Sequence, residues 1–493
     1  MVRSVQVPEP SPDGTNAQGA GIQRRAALRG AMWGAAAGLA GSVLSSLGWS
    51  GAALAAKPAR RPGAGKVTIT VGTYQSTDQP TWKKIMAAAV PMFEKANPGI
   101  AIQWLEEPPG INIQEKLITM YAADEAPDII QECCAYLPEF AARGMLLSLQ
   151  PYIKRDWPQN WESDFLPSQI NAGQMTTPRN LGQFALPTYC GTMAMYYNVD
   201  EFKAKKVGTP DPSWTFADWA VAFTKLNNSA HRQWAGVLPW TGDDRFYAAL
   251  LHPYGANLVD PANKTRCAID SSAGLAAVSW YYEQVYQRKN LIPWTGGGSG
   301  WGSPTFGPAF PEQGIFGSKA AFVMGEGSWM LSRVVEAVAG KFAWNVAPLP
   351  VGPKGRSNLS TTDGYAIINK TKNPEQAWQV LSWFTGIEFS KLLIQFAFLQ
   401  PSRKSLIPYY QSYARKAYPP LKNVDLTAFS DAITGGWAVP EQLFLYETQA
   451  MTAYAAVMSQ SLWASTTSWT PEKVVTQLAS QINTAETQAA AGH

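Results

Sequence analysis

Apolar and polar positions alternate through Val67-Thr68-Ile69-Thr70-Val71, a β-branched run that predicts a strand. The period then changes. Trp82, Ile85, Met86, Ala89 and Phe93 recur at helical spacing and predict a helix over 81–96, kinked at Pro91 and stopped by Asn97-Pro98-Gly99. A second strand follows at 101–105. A second helix at 112–123 carries Ile113, Leu117, Met120 and Tyr121 on one face, and a third strand runs over 128–130. This strand–helix order predicts an α/β fold with a parallel sheet covered by helices.

The alternation continues downstream. Strands are expected at 183–187, 193–198, 320–324, 343–347 and 365–368. Thr215-x-x-Asp218 is a capping-box pattern that opens a helix with Trp219, Phe223 and Leu226 inward. A long helix is expected within 262–288 and a flexible glycine loop at 296–302. Asn373-Pro374-Glu375-Gln376 places an N-cap, an N1 proline and an acidic first turn before a helix that Gly386 ends. From there the pattern is mostly helical.

The N-terminus has a different pattern. A polar lead reaches Arg24-Arg25, and no charge occurs from Ala31 to Ala56, a run that contains the small-residue site Ala53-Leu54-Ala55. Residues 1–56 therefore read as an export signal, of the twin-arginine type by its paired arginines, although Gln23 stands where Ser or Thr is usual. Residues 57–65 (KPARRPGAG) read as a basic linker. If the signal stays uncleaved, the same run anchors the protein in the membrane. Export places Cys133, Cys134, Cys190 and Cys267 in an oxidising compartment, where one bridge from the 133/134 pair to Cys190 or Cys267 is an option that spacing leaves open.

Composition narrows the chemistry. The chain has 493 residues, 46% of them hydrophobic, and a net charge of +4, too balanced for a nucleic-acid-binding surface. It carries 20 Trp and only 3 His, which leaves little room for a multi-His metal site or a His-centred triad. The G-x-S-x-G elbow, the Walker A loop, H-E-x-x-H and Ser-x-x-Lys are absent. Carboxylate pairs such as Glu106-Glu107 and Asp243-Asp244 leave glycoside hydrolysis open, since that reaction needs only two suitably spaced acids. No cofactor is implied.

A set of segments in a fixed order points to a family. They are Phe93–Ile100 (FEKANPGI), Ala126–Ile130 (APDII), Gly144–Leu149 (GMLLSL), and Ala185-Leu186-Pro187 with Tyr196-Tyr197-Asn198. Pro212-x-Trp214-Thr215, Gly317–Met324 (GSKAAFVM) through Trp329, Val346–Pro350 (VAPLP) and Asp363–Ile367 (DGYAI) complete it. In these the chain resembles the extracellular solute-binding proteins of ABC importers, the group that includes maltose- and oligosaccharide-binding proteins, over about residues 66–490. The resemblance implies a two-lobed periplasmic-binding-protein fold (type II) with an interdomain ligand cleft. Lobe 1 would be 66–190 plus 348–368 and lobe 2 191–347 plus 369–488, with crossings near 188–192, 347 and 369. It implies a monomeric periplasmic binder of a sugar or oligosaccharide, partnered by the transmembrane subunits of an ABC permease and without a reaction of its own.

The resemblance also nominates ligand-binding residues at strand ends and crossings: Tyr74, Gln75 and Asp78 after the first strand, Glu132 after the third, and Tyr189 in the first crossing. Trp240, Trp329, Gly364, Tyr365, Arg403 and Trp437 follow. Aromatic faces with planar hydrogen-bonders suit sugars, whose ring faces are apolar and whose edges carry hydroxyls. Trp82, Trp219, Trp378 and Trp383 sit on helical faces and are expected to be packing. The chain departs from maltose-binding proteins at Gly191, which falls where they carry an acidic sugar ligand, and this argues against maltodextrin itself. A secreted carbohydrate-active hydrolase and the same fold binding a polyamine or glycerol phosphate are the competing readings.

Overall fold

A computed structural model describes residues 65–73, 79–105, 113–133, 137–176, 181–242, 245–294 and 312–491. The expected export signal, the glycine loop and the paired acids at 106–107 and 243–244 lie outside them. Two sheets organise the chain from Pro62 onward. Their strands, in chain order, are β1 Val67–Thr73, β2 Ile100–Leu105, β3 Ile129–Cys133, β4 Ala185–Gly191, β5 Met193–Asn198, β6 Trp234–Val237, β7 Leu291–Ile292, β8 Ala321–Gly327, β9 Trp344–Ala347, β10 Thr361–Ile367 and β11 Gln400–Pro401.

The first sheet has the order β11-β4-β10-β3-β1-β2 and the second β7-β6-β8-β5-β9. In the first, β1 pairs parallel with β2 and β3, and β10 runs antiparallel between β3 and β4. In the second, β6 is parallel to β7 and β8, while β5 runs antiparallel to β8 and β9. The chain passes between the sheets twice at close quarters. A single residue, Thr192, separates β4 from β5, and residues 348–360 join β9 to β10.

The first sheet buries Ile69, Val71 and Tyr365 against Trp82, Ile85 and Phe93 of the helix Gln79–Ala96. The expected 81–96 helix thus forms, with Pro91 inside it. The second sheet is covered on one face by the helices Phe216–Leu226, Ser272–Tyr282, Glu447–Ser459 and Pro471–Ala491, and on the other by Glu312–Gly317 and Leu331–Val338. Trp82, Trp219 and Trp378 are buried in these cores and Trp383 packs at the edge of the first.

Three expectations change. The helix expected within 262–288 starts only at Ser272, where Ser271 caps it. Residues Asn263–Cys267 form a strand instead, antiparallel to Val259–Asp260; only Cys267 of the five is buried, so the segment has no apolar face with which a helix could pack. The helices Pro374–Phe384 and Ile387–Ala397, expected with the second lobe, pack on the first sheet. Trp378, Leu381, Phe384, Phe389 and Leu393 find their apolar partners there, and β11 then pairs with β4. The third passage, expected near 369, therefore follows Pro401. Finally, Cys190, on β4, and Cys267, in the second-sheet core, are buried free thiols, so neither takes the bridge left open above. Burial pushes the Cys267 thiol up to about 12 and that of Cys190 higher.

Candidate functional site

In open α/β sheets ligands bind beyond the carboxyl ends of the strands. Here the carboxyl ends of β3 and β4 and the amino end of β10 share one edge of the first sheet, because β10 is antiparallel to both. The carboxyl ends of β6, β8 and β9 share one edge of the second sheet with the amino end of β5. The Gly191-Thr192-Met193 crossing joins these two edges.

The crossing is held by buried polar contacts. The Asn358 side chain accepts from the Met193 amide at 2.8 Å and donates to its carbonyl at 2.7 Å. Thr192 Oγ1 donates to the Phe429 carbonyl at 2.7 Å, and the Thr192 carbonyl accepts from the Ser328 amide at 2.8 Å. The Met193 amide and carbonyl and the Thr192 carbonyl thus have partners out of water, as burial of a chain crossing requires.

Trp329 sits directly on this crossing. It follows β8, is half-buried, and packs against both faces of the second sheet and against the first-sheet core. The ring lies so close to Gly191 and Gly327 that a Cβ on either would collide with it. Gly191, where the resemblance leads one to expect a carboxylate, is thus the space that the indole occupies.

Behind Trp329 lies a charged group that the sequence reading did not single out. Arg245 Nε is 3.1 Å from Glu326 Oε1, and the Arg245 guanidinium carbon is 5.3 Å from the centroid of the indole. Arg245 is 8% exposed and Glu326 0%, so this is a fully desolvated ion pair. Glu312 stands beside it; burial and then the Glu326 charge push its carboxyl up to about 7, against the pull of Arg245 and Arg333. No sequence motif links these residues, which come from three separate segments.

The nominated residues fall into distinct places. Tyr74, Gln75 and Asp78 lie outside the described residues. Glu132 is described by its backbone, which pairs with Gly364. Tyr189 is buried, accepts from Gln131 Nε2 at 3.4 Å and packs on Trp82. Gly364 lies where a Cβ would be 2.7 Å from the Leu186 carbonyl oxygen, a demand of strand packing. Trp240 is fully buried in the second-sheet core, its N–H donating to the Gly325 carbonyl at 3.2 Å. Tyr365 is fully buried and stacks on Phe384. Arg403 is a structural clamp: it donates twice to the Thr385 carbonyl, pairs with Asp164 at 3.0 Å and lies over Phe165. Trp437 lies under the Arg356 guanidinium beside the Asn358–Leu359 strand. The structure therefore leaves Trp329 at the crossing and draws Trp240, Tyr365 and Arg403 into the scaffold.

Other buried polar groups lie in or beside strands of both sheets. Asp363, 5% exposed, pairs across the sheet with Tyr189 and Cys133, and burial holds its carboxyl well above the usual carboxylate range. The hydroxyls of Tyr365 and Ser328 and Oε1 of Gln131 are buried without a hydrogen-bond partner. Buried polar atoms of this kind call for a bound hydroxyl or water. Among the described residues no cluster of His, Cys, Asp and Glu could hold a metal ion, and no helix is long and apolar enough to cross a membrane.

Comparison with known proteins places this arrangement. Residues 75–388 match the family model described as bacterial extracellular solute-binding protein. A binding protein of Brucella abortus (strain 2308) is 23% identical over 368 residues, covering 74% of this chain and 81% of the relative. The arabinooligosaccharide-binding protein of Bacillus subtilis (strain 168) is 23% identical over 278 residues, 55% of this chain and 58% of that protein. Among solved structures, an ABC substrate-binding protein from Listeria monocytogenes in complex with cycloalternan superposes with a TM-score of 0.69 at 20% identity, covering 85% of this chain and 98% of that one.

Proposed function

The chain belongs to the bacterial extracellular solute-binding protein family, and on that premise we propose that it captures a sugar or oligosaccharide between two lobes and delivers it to the membrane permease of an ABC importer. The observation that carries the sugar reading is Trp329: a half-buried indole at the crossing where the carboxyl edges of both sheets meet. The Ser328 hydroxyl, on the residue before Trp329, is buried without a hydrogen-bond partner, and Gln131 Oε1 in β3 is another such atom. An indole face and hydroxyl-seeking groups are the two halves of a sugar site. That the Bacillus relative is named for arabino-oligosaccharides and the Listeria structure holds cycloalternan supports an oligosaccharide.

In this reading the first lobe is built on the first sheet, 66–190 plus 348–368, extended by the two helices over 374–397. β11 at Gln400–Pro401 also belongs to the first lobe, and the second is built on 191–347 and 402–488. Closing of the lobes about the 191–193 crossing is a hinge motion. Residues 1–56 act as a twin-arginine export signal; replacing Arg24 and Arg25 by Lys abolishes export if so, and normal export would assign the general secretory route.

The test is a thermal-shift screen of the protein against maltose, cycloalternan and arabino-oligosaccharides, since a ligand that binds only the native state raises its melting temperature. Trp329→Ala is expected to weaken the best binder by tenfold or more, roughly 1.4 kcal/mol. Unchanged affinity removes Trp329 from the site. Steady hydrolysis of aryl glycosides that Asp363→Asn abolishes would replace the binding reading with an enzymatic one.

A further inference from the structure

The charged pair behind Trp329 needs an explanation that stability does not supply. Desolvating two ions costs more than their attraction returns in many proteins, and apolar replacements of a buried pair are often neutral or stabilising. Yet Arg245 and Glu326 are placed with care. Arg245 opens the helical segment Phe246–Leu251, whose π-type winding marks a local departure from the regular α-helix. Glu326 is the penultimate residue of β8. One of its oxygens meets Arg245 at 3.1 Å, and the other accepts from the Gly327 amide at 2.7 Å. Gly327 is one of the two glycines against which the Trp329 ring rests. The same carboxylate therefore fixes both the cation beside the indole and the backbone beneath it.

We propose that Arg245, held by Glu326, is a positioning residue for ligand recognition: its guanidinium fixes the Trp329 indole in the orientation that stacks on the sugar ring. The proposal rests on the reading of Trp329 as the stacking face and adds the device that holds it there. A cation beside an aromatic ring is attracted by the ring quadrupole, more strongly when the cation is withdrawn from water, as Arg245 is here. An indole already ordered loses little side-chain freedom on binding. Without the cation that ordering falls on the binding step, which weakens affinity by roughly threefold to tenfold.

Removing one charge leaves the other buried and alone, so the informative variant removes both. Arg245→Met with Glu326→Gln keeps an acceptor for the Gly327 amide and takes the ion pair away. The full chain, labelled with 5-fluorotryptophan, is observed by fluorine NMR, with Trp329→Phe assigning the Trp329 signal. Affinity for the best sugar of the screen is measured alongside. Expected are a melting temperature close to wild type, a threefold to tenfold loss of affinity, and a Trp329 signal that broadens or splits. A sharp, unmoved Trp329 signal overturns the proposal, whatever happens to affinity; so does wild-type affinity in the double variant. If the double variant does not fold, Arg245→Met alone, which removes the cation and leaves a carboxyl that can take up a proton, is read by the same Trp329 signal and affinity. Should the wild-type protein bind none of the sugars, the sugar reading fails, while the Trp329 signal of the variant still decides whether Arg245 orders the indole.

Discussion

A Cβ on Gly191 would meet the Trp329 ring and stand 2.8 Å from Thr361 Oγ1. The glycine is there to admit the indole, not to bend the chain, and the conflict involves a ring held on several sides rather than the loose end of a flexible side chain. Gly191→Ala is therefore expected to overpack the crossing and destabilise the protein by about 1–3 kcal/mol, measured by urea unfolding. Gly191→Asp, which would install the carboxylate that the resemblance to maltose-binding proteins leads one to expect here, is expected to weaken sugar binding rather than broaden it, because the acid would displace Trp329. Tighter maltose binding by the Gly191→Asp variant would contradict the packing argument. The same logic separates Trp240 from Trp329. Both follow a strand of the second sheet, but the Trp240 N–H is satisfied by the Gly325 carbonyl inside the core. In sequence the two positions look alike, since a strand end does not say whether its side chain turns inward or toward the crossing.

At the scale of elements, the local rules are the ones that sequence expresses well. Thr215 shows this. Its hydroxyl accepts from the Asp218 amide at 3.2 Å, and the Asp218 carboxylate accepts from the Thr215 amide at 2.8 Å, so the expected capping box is complete. Both partners lie within one turn, and the motif needs nothing from elsewhere. Thr215→Ala should cost about 1 kcal/mol, read as a lower urea midpoint with an unchanged slope. Asn373 is the counter-example: the motif stands in place, but the side chain makes no capping bond. The helices Pro374–Phe384 and Ile387–Ala397 were legible as helices, while their sheet was not, because an apolar face is recognised by its period and its partner only by tertiary packing. The Arg245–Glu326 pair was illegible for a related reason. Isolated charged residues in sequence read as surface, and only the fold shows that both are buried.

For the whole molecule, the two sheets also meet away from the 191–193 crossing. Glu139, on the helix Leu137–Ala142, packs with the first sheet; Thr448 and Glu486 belong to the helices Glu447–Ser459 and Pro471–Ala491 over the second. Thr448 Oγ1 donates to Glu139 Oε2 at 2.8 Å, and Arg143 holds the other Glu139 oxygen at 2.8 Å. Glu486 is 0% exposed and accepts from the Tyr446 amide at 3.2 Å. Burial, with the Glu139 charge adding to it, pushes its carboxyl from the ordinary 4.5 up to about 7, against the Tyr446 hydrogen bond. The folded state therefore binds the Glu486 proton more tightly than the unfolded chain does. That contribution to stability is fully present below pH 4.5 and is lost as pH rises through about 7. Glu312, also raised to about 7, acts in the same window and with the same sign. Glu486→Gln keeps an acceptor for Tyr446 and removes the titration. Its melting temperature should equal that of the wild type near pH 4.5, rise above it through neutrality and stay above it at pH 8, a difference of roughly 1–3 kcal/mol. Parallel melting curves for the two proteins across this range would show that Glu486 ionises as freely in the folded protein as in the unfolded chain.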